Sequence, residues 1–206
     1  MKNKTKVLLI SIATFLITFI GAVYFMVMNP FNIKIAPLVP DGRQAETGKR
    51  LEVSFTYKKQ RLIASSQYAF WIEDMSGNYI DTVYVTQWTA TGGFSYRPLS
   101  IPRWVSAATP EDMNEAKIDA ISGATPRNGH YVFTWDFTDK NGNPAEDEEY
   151  RYFFEGTMNN EDAVIYTGII ITGTEARVET PVPAYTVQDS SYKRMLSNVQ
   201  VTFIPG

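Results

Sequence analysis

Arg50-Leu51-Glu52-Val53-Ser54-Phe55-Thr56-Tyr57 decides how this chain is read. Leu51, Val53, Phe55 and Tyr57 alternate with Glu52, Ser54 and Thr56, so an extended backbone places the two kinds on opposite faces. One face is apolar and the other wettable, which is the pattern of a half-buried antiparallel strand. The chain beyond repeats this theme in short segments. Tyr68-Ala-Phe-Trp-Ile72 is a dense apolar run of the kind a central strand carries. Glu73-Asp-Met-Ser-Gly-Asn78 is turn chemistry, with Tyr79–Val85 as the returning strand. Tyr131–Trp135 and Tyr150–Phe154 flank Asp139-Lys-Asn-Gly-Asn-Pro144, where Asn141-Gly142 is a strong hairpin signal. Ala163–Ile171 and Asn198–Phe203 complete the set. Together these segments predict an all-β fold, an Ig-like antiparallel β-sandwich over residues 50–206.

Two stretches interrupt the pattern. Gln87 to Asp112 holds Trp88, Gly92, Gly93, Phe94, Tyr96, Arg97, Pro98, Pro102, Arg103 and Trp104. A connection of that length is commonly functional, and its aromatics argue for order. Pro110-Glu-Asp-Met-Asn-Glu115 is a candidate helix start. Thr174 to Met195 is polar, contains Pro181 and Pro183, and is expected to wrap the surface before the last strand.

Ahead of the domain, residues 7–28 carry no charge. As a helix they reach about 33 Å, enough to cross the hydrocarbon of a bilayer. Lys2, Lys4 and Lys6 precede the run and the next base is Lys34, so the tail of residues 1–6 is expected in the cytoplasm and the domain outside. The bulky end Tyr24-Phe-Met-Val-Met28 favours an uncleaved single-pass anchor over a signal peptide, whose apolar region is shorter and ends in small residues. Residues 29–49, with Pro30, Pro37, Pro40 and Gly42, read as a spacer.

Composition narrows the chemistry. A formal net charge of −3 and a pI near 5.3 argue against nucleic acid as a partner. Cysteine is absent, which removes disulfides, thiolate metal sites and Cys nucleophiles. A single histidine, His130, rules out a multi-His metal site within one chain. Asp136, Asp139, Asn141 and Asn143 do not match a calcium loop, because Pro144 stands where its turn glycine belongs. No catalytic constellation and no metal site emerge, so a carrier or accessory role is expected rather than a catalyst.

One stretch departs from strand patterning in another way. Asp119-Ala-Ile-Ser-Gly-Ala-Thr-Pro126 gathers small and polar residues, and Pro126 biases Thr125 toward an extended conformation. Such a segment is either a tight structural turn or an acceptor presenting the Thr125 hydroxyl to a modifying enzyme.

Several of these stretches occur together in a known family. Trp71 to Tyr79, Arg97 to Trp104, Asp119 to Pro126, Trp135 to Pro144 and Met195 to Val199, in this order, resemble the predicted periplasmic bacterial family called domain of unknown function twenty-two seventy-one. Its members are often encoded near PepSY-type membrane reductases and flavin transferases, so the resemblance implies a link to extracytoplasmic electron transfer. The Trp135 to Phe154 segment also resembles the Ig-like domain of the flagellar hook-capping protein. Asp119 to Thr125 is similar to the flavinylation motif of FMN-binding domains in membrane redox pumps. That likeness implies FMN esterified to Thr125, with Asp119, Ser122, Gly123 and Ala124 as recognition residues. Pro126-Arg127 departs from the motif. Arg97 and Trp104 are then candidates to meet the phosphate and the flavin ring. Two readings follow: a membrane-anchored flavin-linked accessory, or an Ig-like binding or structural module of the envelope without a cofactor.

Overall fold

The structure is a computed structural model describing residues 48–60, 65–159, 162–189 and 193–206. The expected cytoplasmic tail, the anchor at 7–28 and the spacer up to residue 47 lie outside the described residues. Among the described residues no helix is long and apolar enough to cross a membrane.

The strands are β1 (Arg50–Tyr57), β2 (Gln67–Asp74), β3 (Tyr79–Thr86), β4 (Ser122–Gly123), β5 (Gly129–Trp135), β6 (Glu149–Asn159), β7 (Asp162–Ile171), β8 (Arg177–Glu179), β9 (Ala184–Tyr185) and β10 (Leu196–Ile204). They form a four-stranded sheet, ordered β5-β1-β10-β8, and a six-stranded sheet, ordered β4-β3-β2-β6-β7-β9. In β1 the alternation holds, with Leu51, Val53, Phe55 and Tyr57 buried and the residues between them partly open. Those side chains meet the other sheet. The Phe55 ring lies 4.8 Å from Phe154 of β6 and 5.7 Å from Tyr68 of β2, and Phe133 of β5 stacks 4.2 Å from Tyr84 of β3. Each buried ring of this kind contributes on the order of 2 kcal/mol, and edge-on contacts add to it. Two sheets packed face to face through such contacts have the layering of a sandwich.

The β2–β3 hairpin forms as its turn residues predict. Gly77 takes φ +90°, and the Asp74 carboxylate accepts from the amides of Ser76 and Asn78, each at 2.8 Å. The second expected hairpin does not form. β5 belongs to the four-stranded sheet and β6 to the six-stranded one, so residues 136–148 cross between the sheets. The Asn-Gly turn exists within that crossing, where Gly142 has φ +83° and Asp139 accepts from the amides of Asn141 and Asn143. Around that turn a short antiparallel pairing forms, with Thr138 bridged to Pro144 and the Ala145 amide donating to the Phe137 carbonyl at 2.8 Å, but it does not extend to β5 and β6. Phe137, at φ 60°, swings its ring into the core, 4.3 Å from Trp135 and 5.9 Å from Tyr150.

The expectation of an all-β domain needs a second correction. The first long insertion is helical: a wide turn at Thr89–Gly93, α1 (Pro102–Ala108), a 3₁₀ turn at Pro110–Asp112 and α2 (Glu115–Ile121). Ile101, Trp104 and Ala108 around α1, with Ile118 and Ile121 of α2, pack on Ala69, Trp71 and Val85 to make a second core. The insertion therefore covers the outer face of the six-stranded sheet. This explains the unbroken apolar run in β2, whose Tyr68, Phe70 and Ile72 face one core and whose Ala69 and Trp71 face the other. The polar segment after residue 174 adds one short edge strand to each sheet, β8 beside β10 and β9 beside β7.

Candidate functional site

The insertion is fixed to the sheet by polar side chains as well as by its core. α1 begins at Pro102, after Ile101 in a left-handed conformation (φ 45°), so no side chain at the cap position serves its first amides. Glu155 of β6 does so instead. Its carboxylate accepts from the main-chain nitrogens of Arg103 and Trp104, both at 3.1 Å. A negative group there meets the unpaired donors and positive end of the helix. Glu155 is only 3% exposed, and burial pushes its carboxyl up to about 7, with the two amides and the Arg103 charge opposing that rise in part. One residue pair further along β6, Thr157 Oγ1 accepts from the Ile101 amide at 2.7 Å and donates to the Leu99 carbonyl. The Trp104 indole donates to Thr82 Oγ1 at 2.8 Å, and Thr89 Oγ1 donates to Gln67 at 3.0 Å.

The outer end of the insertion is built differently. Trp88, Tyr96 and Leu99 are exposed, Tyr96 at 89%. The Trp88 indole is nevertheless held in place. A Cβ on Gly93 would press on the Trp88 carbonyl oxygen and stand 2.5 Å from that ring, so the glycine is what lets the turn close against both. The Arg97 guanidinium lies 5.1 Å from the centre of the Trp88 ring, a cation–π contact. Arg97 also donates to the Ser65 carbonyl at 3.1 Å and to Ser100 Oγ at 3.3 Å. A tryptophan, an arginine and a tyrosine are thus presented together on a braced turn.

The Asp119–Pro126 stretch is divided between elements. Asp119 lies exposed in α2, whose Asn114 cap accepts from the Lys117 amide. Ser122 and Gly123 form β4, paired in parallel with Val85 and Thr86 at the edge of the six-stranded sheet. Residues 124–128 then carry the chain to β5, at the edge of the other sheet. Tyr84 donates its hydroxyl to the Ala124 carbonyl at 3.0 Å, and Tyr131 donates to the Arg127 carbonyl at 2.7 Å. A Cβ on Gly123 would sit 3.0 Å from the Tyr84 ring, so the space the glycine leaves is filled from within the domain. Thr125 is half-buried, and its hydroxyl bonds to none of the described groups.

The sequence candidates therefore fall into three places. Asp119, Ser122, Gly123, Ala124 and Thr125 follow one another through α2, β4 and the crossing. Arg97 braces Trp88, and Trp104 is fully buried in the second core. The side chains hydrogen-bonded to the Thr125 crossing are Tyr84 and Tyr131, neither of which the sequence singled out. Glu155 was missed as well, although a lone carboxylate inside Tyr152-Phe-Phe-Glu-Gly-Thr157 is a visible break in an apolar strand. Among the described residues no cluster of three or more acidic or histidine side chains is arranged to hold a metal ion.

Residues 50–182 match the family described as predicted periplasmic protein (DUF2271). The chain belongs to this family. The matched span covers β1 to β8 and the whole helical insertion, so β2, β3 and β6, the Glu155 anchor and the Trp88–Arg97 turn all lie in DUF2271 sequence. The family description places its members outside the cytoplasm, in agreement with the expected extracytoplasmic location. The match brings with it neither an FMN-binding domain nor a flagellar hook-capping domain. No curated protein and no solved structure matches the chain.

Proposed function

We propose that this DUF2271 member is a non-catalytic, Ig-like interaction module of the cell envelope. In this reading residues 7–28 tether it to the membrane, and the outer end of its helical insertion is the contact surface for another envelope protein. The observation that carries the reading is the bracing of Trp88 by Gly93 and Arg97 beside exposed Tyr96 and Leu99. Tryptophan, tyrosine and arginine dominate the energetics of protein interfaces. A side chain already held in one position loses little freedom on binding, so its contact area converts more fully into affinity. Trp104, packed at 0% exposure, supports the insertion from beneath and is not part of the surface. The test is a photo-crosslinking amino acid placed at Tyr96 in living cells, read with and without Trp88→Ala.

A second reading rests on Thr125. Its hydroxyl bonds to none of the described groups, is half-open, and is set on a crossing tied down on both sides by Tyr84 and Tyr131. A flavin transferase could esterify it with FMN, making the domain a flavin carrier for a PepSY-type membrane reductase. The fit is partial. Gly123 is already spanned by Tyr84, and Trp104 is closed to a flavin ring. Arg97 holds Ser65, Ser100 and Trp88. Co-expression with a flavin transferase, followed by mass analysis of the peptide containing Thr125, tests it. A mass increase of one FMN less water supports attachment, and an unmodified peptide with colourless protein excludes it.

A further inference from the structure

Most of the exposed large apolar side chains stand in two groups. Trp88, Tyr96 and Leu99 belong to the insertion, while Ile169, Ile171, Val178 and Val182 gather on and after β7 and β8. There the two sheets meet along one side of the sandwich. Ile169, Ile171, Arg177, Val178 and Glu179 line the same cleft, and a Cβ on Gly168 of β7 would stand 2.6 Å from Oε1 of Glu179 in β8. β8 comes last in the order of the four-stranded sheet, so its edge away from β10 pairs with no strand among the described residues. Residues 173–180 are exposed throughout.

An open strand edge is a template for another strand, and native proteins ordinarily cover it, bend it or place charge on it. β8 carries charge, but of both signs and in a symmetric order: Arg177 is basic, Val178 apolar and Glu179 acidic. Antiparallel pairing with a second β8, about a two-fold axis at Val178, sets Arg177 of each copy opposite Glu179 of the other. Parallel pairing in register would set like charges side by side, which is unfavourable. Neither side chain makes an ion pair among the described residues. The Glu179 carboxylate faces the Tyr152 hydroxyl, and its two oxygens leave acceptors over for a guanidinium. An unrelated strand has no reason to match this charge order, whereas a second copy matches it by symmetry. Pro181 and Pro183 lack amide donors and end the ladder soon after Glu179, so the contact is short and the association reversible.

We infer that two copies of this chain associate through β8, antiparallel about Val178, and join their four-stranded sheets edge to edge. A second copy seated there also covers part of the cleft in which Ile169 and Ile171 stand exposed. Residues directly opposed in antiparallel strands have Cα atoms about 4.5–5.5 Å apart, within the range a disulfide spans. The chain has no cysteine, so Val178→Cys installs a single reporter at the axis. The full chain carrying it, expressed in bacteria and oxidised mildly in the lysate, should give a disulfide-linked dimer. Thr134→Cys, exposed on β5 at the other edge of the same sheet, is the comparison and should stay monomeric. Adding Arg177→Glu or Glu179→Arg to Val178→Cys sets like charges across the axis, and either should lower the yield about tenfold. Mixing the two charge variants should restore the dimer, because each then meets its opposite. High salt, which screens both pairs without any substitution, should lower the yield as well. A Val178→Cys yield no higher than that of Thr134→Cys overturns the proposal. So does a yield that neither salt nor the charge variants change, or a pair of charge variants that stays apart when mixed.

Discussion

The Glu155 carboxylate stands 3.1 Å from the main-chain nitrogen of Trp104, so a strand in the middle of the six-stranded sheet supplies the cap that the insertion's first helix lacks. The same tryptophan sends its indole proton to Thr82 of β3. One residue of the insertion is thereby bonded to two strands, and the surface at Trp88 and Arg97 rests on that attachment.

Glu155 makes the attachment sensitive to pH. Its folded carboxyl is raised to about 7 by burial, above the ordinary value near 4.5. A group raised on folding contributes stability that is present in full below its unfolded value and is lost as pH rises through its folded value. The domain should therefore be more stable near pH 5 than near pH 8, by up to about 3 kcal/mol from this group. Glu155→Gln keeps an acceptor for the two amides and should flatten the dependence. Urea denaturation of both proteins at the two pH values checks this, and an equal loss at both values for the variant would refute the assignment.

Trp104 and Trp88 should separate by their roles. Trp104→Ala empties a fully buried site and leaves Thr82 short of a donor, costing about 3–5 kcal/mol. Trp88→Ala removes a ring that is 41% exposed and should cost about 1 kcal/mol or less. Denaturant midpoints measure both. Comparable losses would mean that the outer turn is core and not a contact surface.

Gly93→Ala should disarrange the surface from below. The added methyl would press on the Trp88 carbonyl oxygen and meet the Trp88 indole at 2.5 Å, so both the turn backbone and the ring must shift. The expected result is a loss of about 1–3 kcal/mol, together with a shifted nuclear magnetic resonance signal of the Trp88 indole N–H in the otherwise unchanged domain. An unchanged Trp88 indole signal would mean that the glycine does not set the ring's position.

Much of this architecture was legible from side-chain pattern. Period-two alternation located β1, and the unbroken run from Tyr68 to Ile72 marked a central strand, as β2 is. What the pattern could not show was which strand pairs with which. Asn141-Gly142 is real turn chemistry, yet Phe137 folding into the core sends β5 and β6 to different sheets. The helix start expected at Pro110–Glu115 is met by the 3₁₀ turn and α2, while α1 was obscured because its apolar positions are few and interrupted by Pro98 and Pro102. The edge strands β8 and β9 were hidden by polarity, since an edge needs only backbone pairing on one side. Candidate residues fared by burial. Asp119 to Thr125 were chosen for small size and a hydroxyl, but Gly123 is small because Tyr84 lies across it. Glu155, Tyr84 and Tyr131 acquire their roles only through contacts distant in sequence.

The central claim is that the outer end of the insertion binds another protein. The most direct measurement is photo-crosslinking in cells from Tyr96, compared with Gln200 on the exposed face of the opposite sheet. The account predicts a discrete adduct from Tyr96 and none from Gln200, with the Tyr96 adduct lost in Trp88→Ala while the melting temperature stays within a few degrees. No adduct from Tyr96, or the same adducts from both positions, would contradict it.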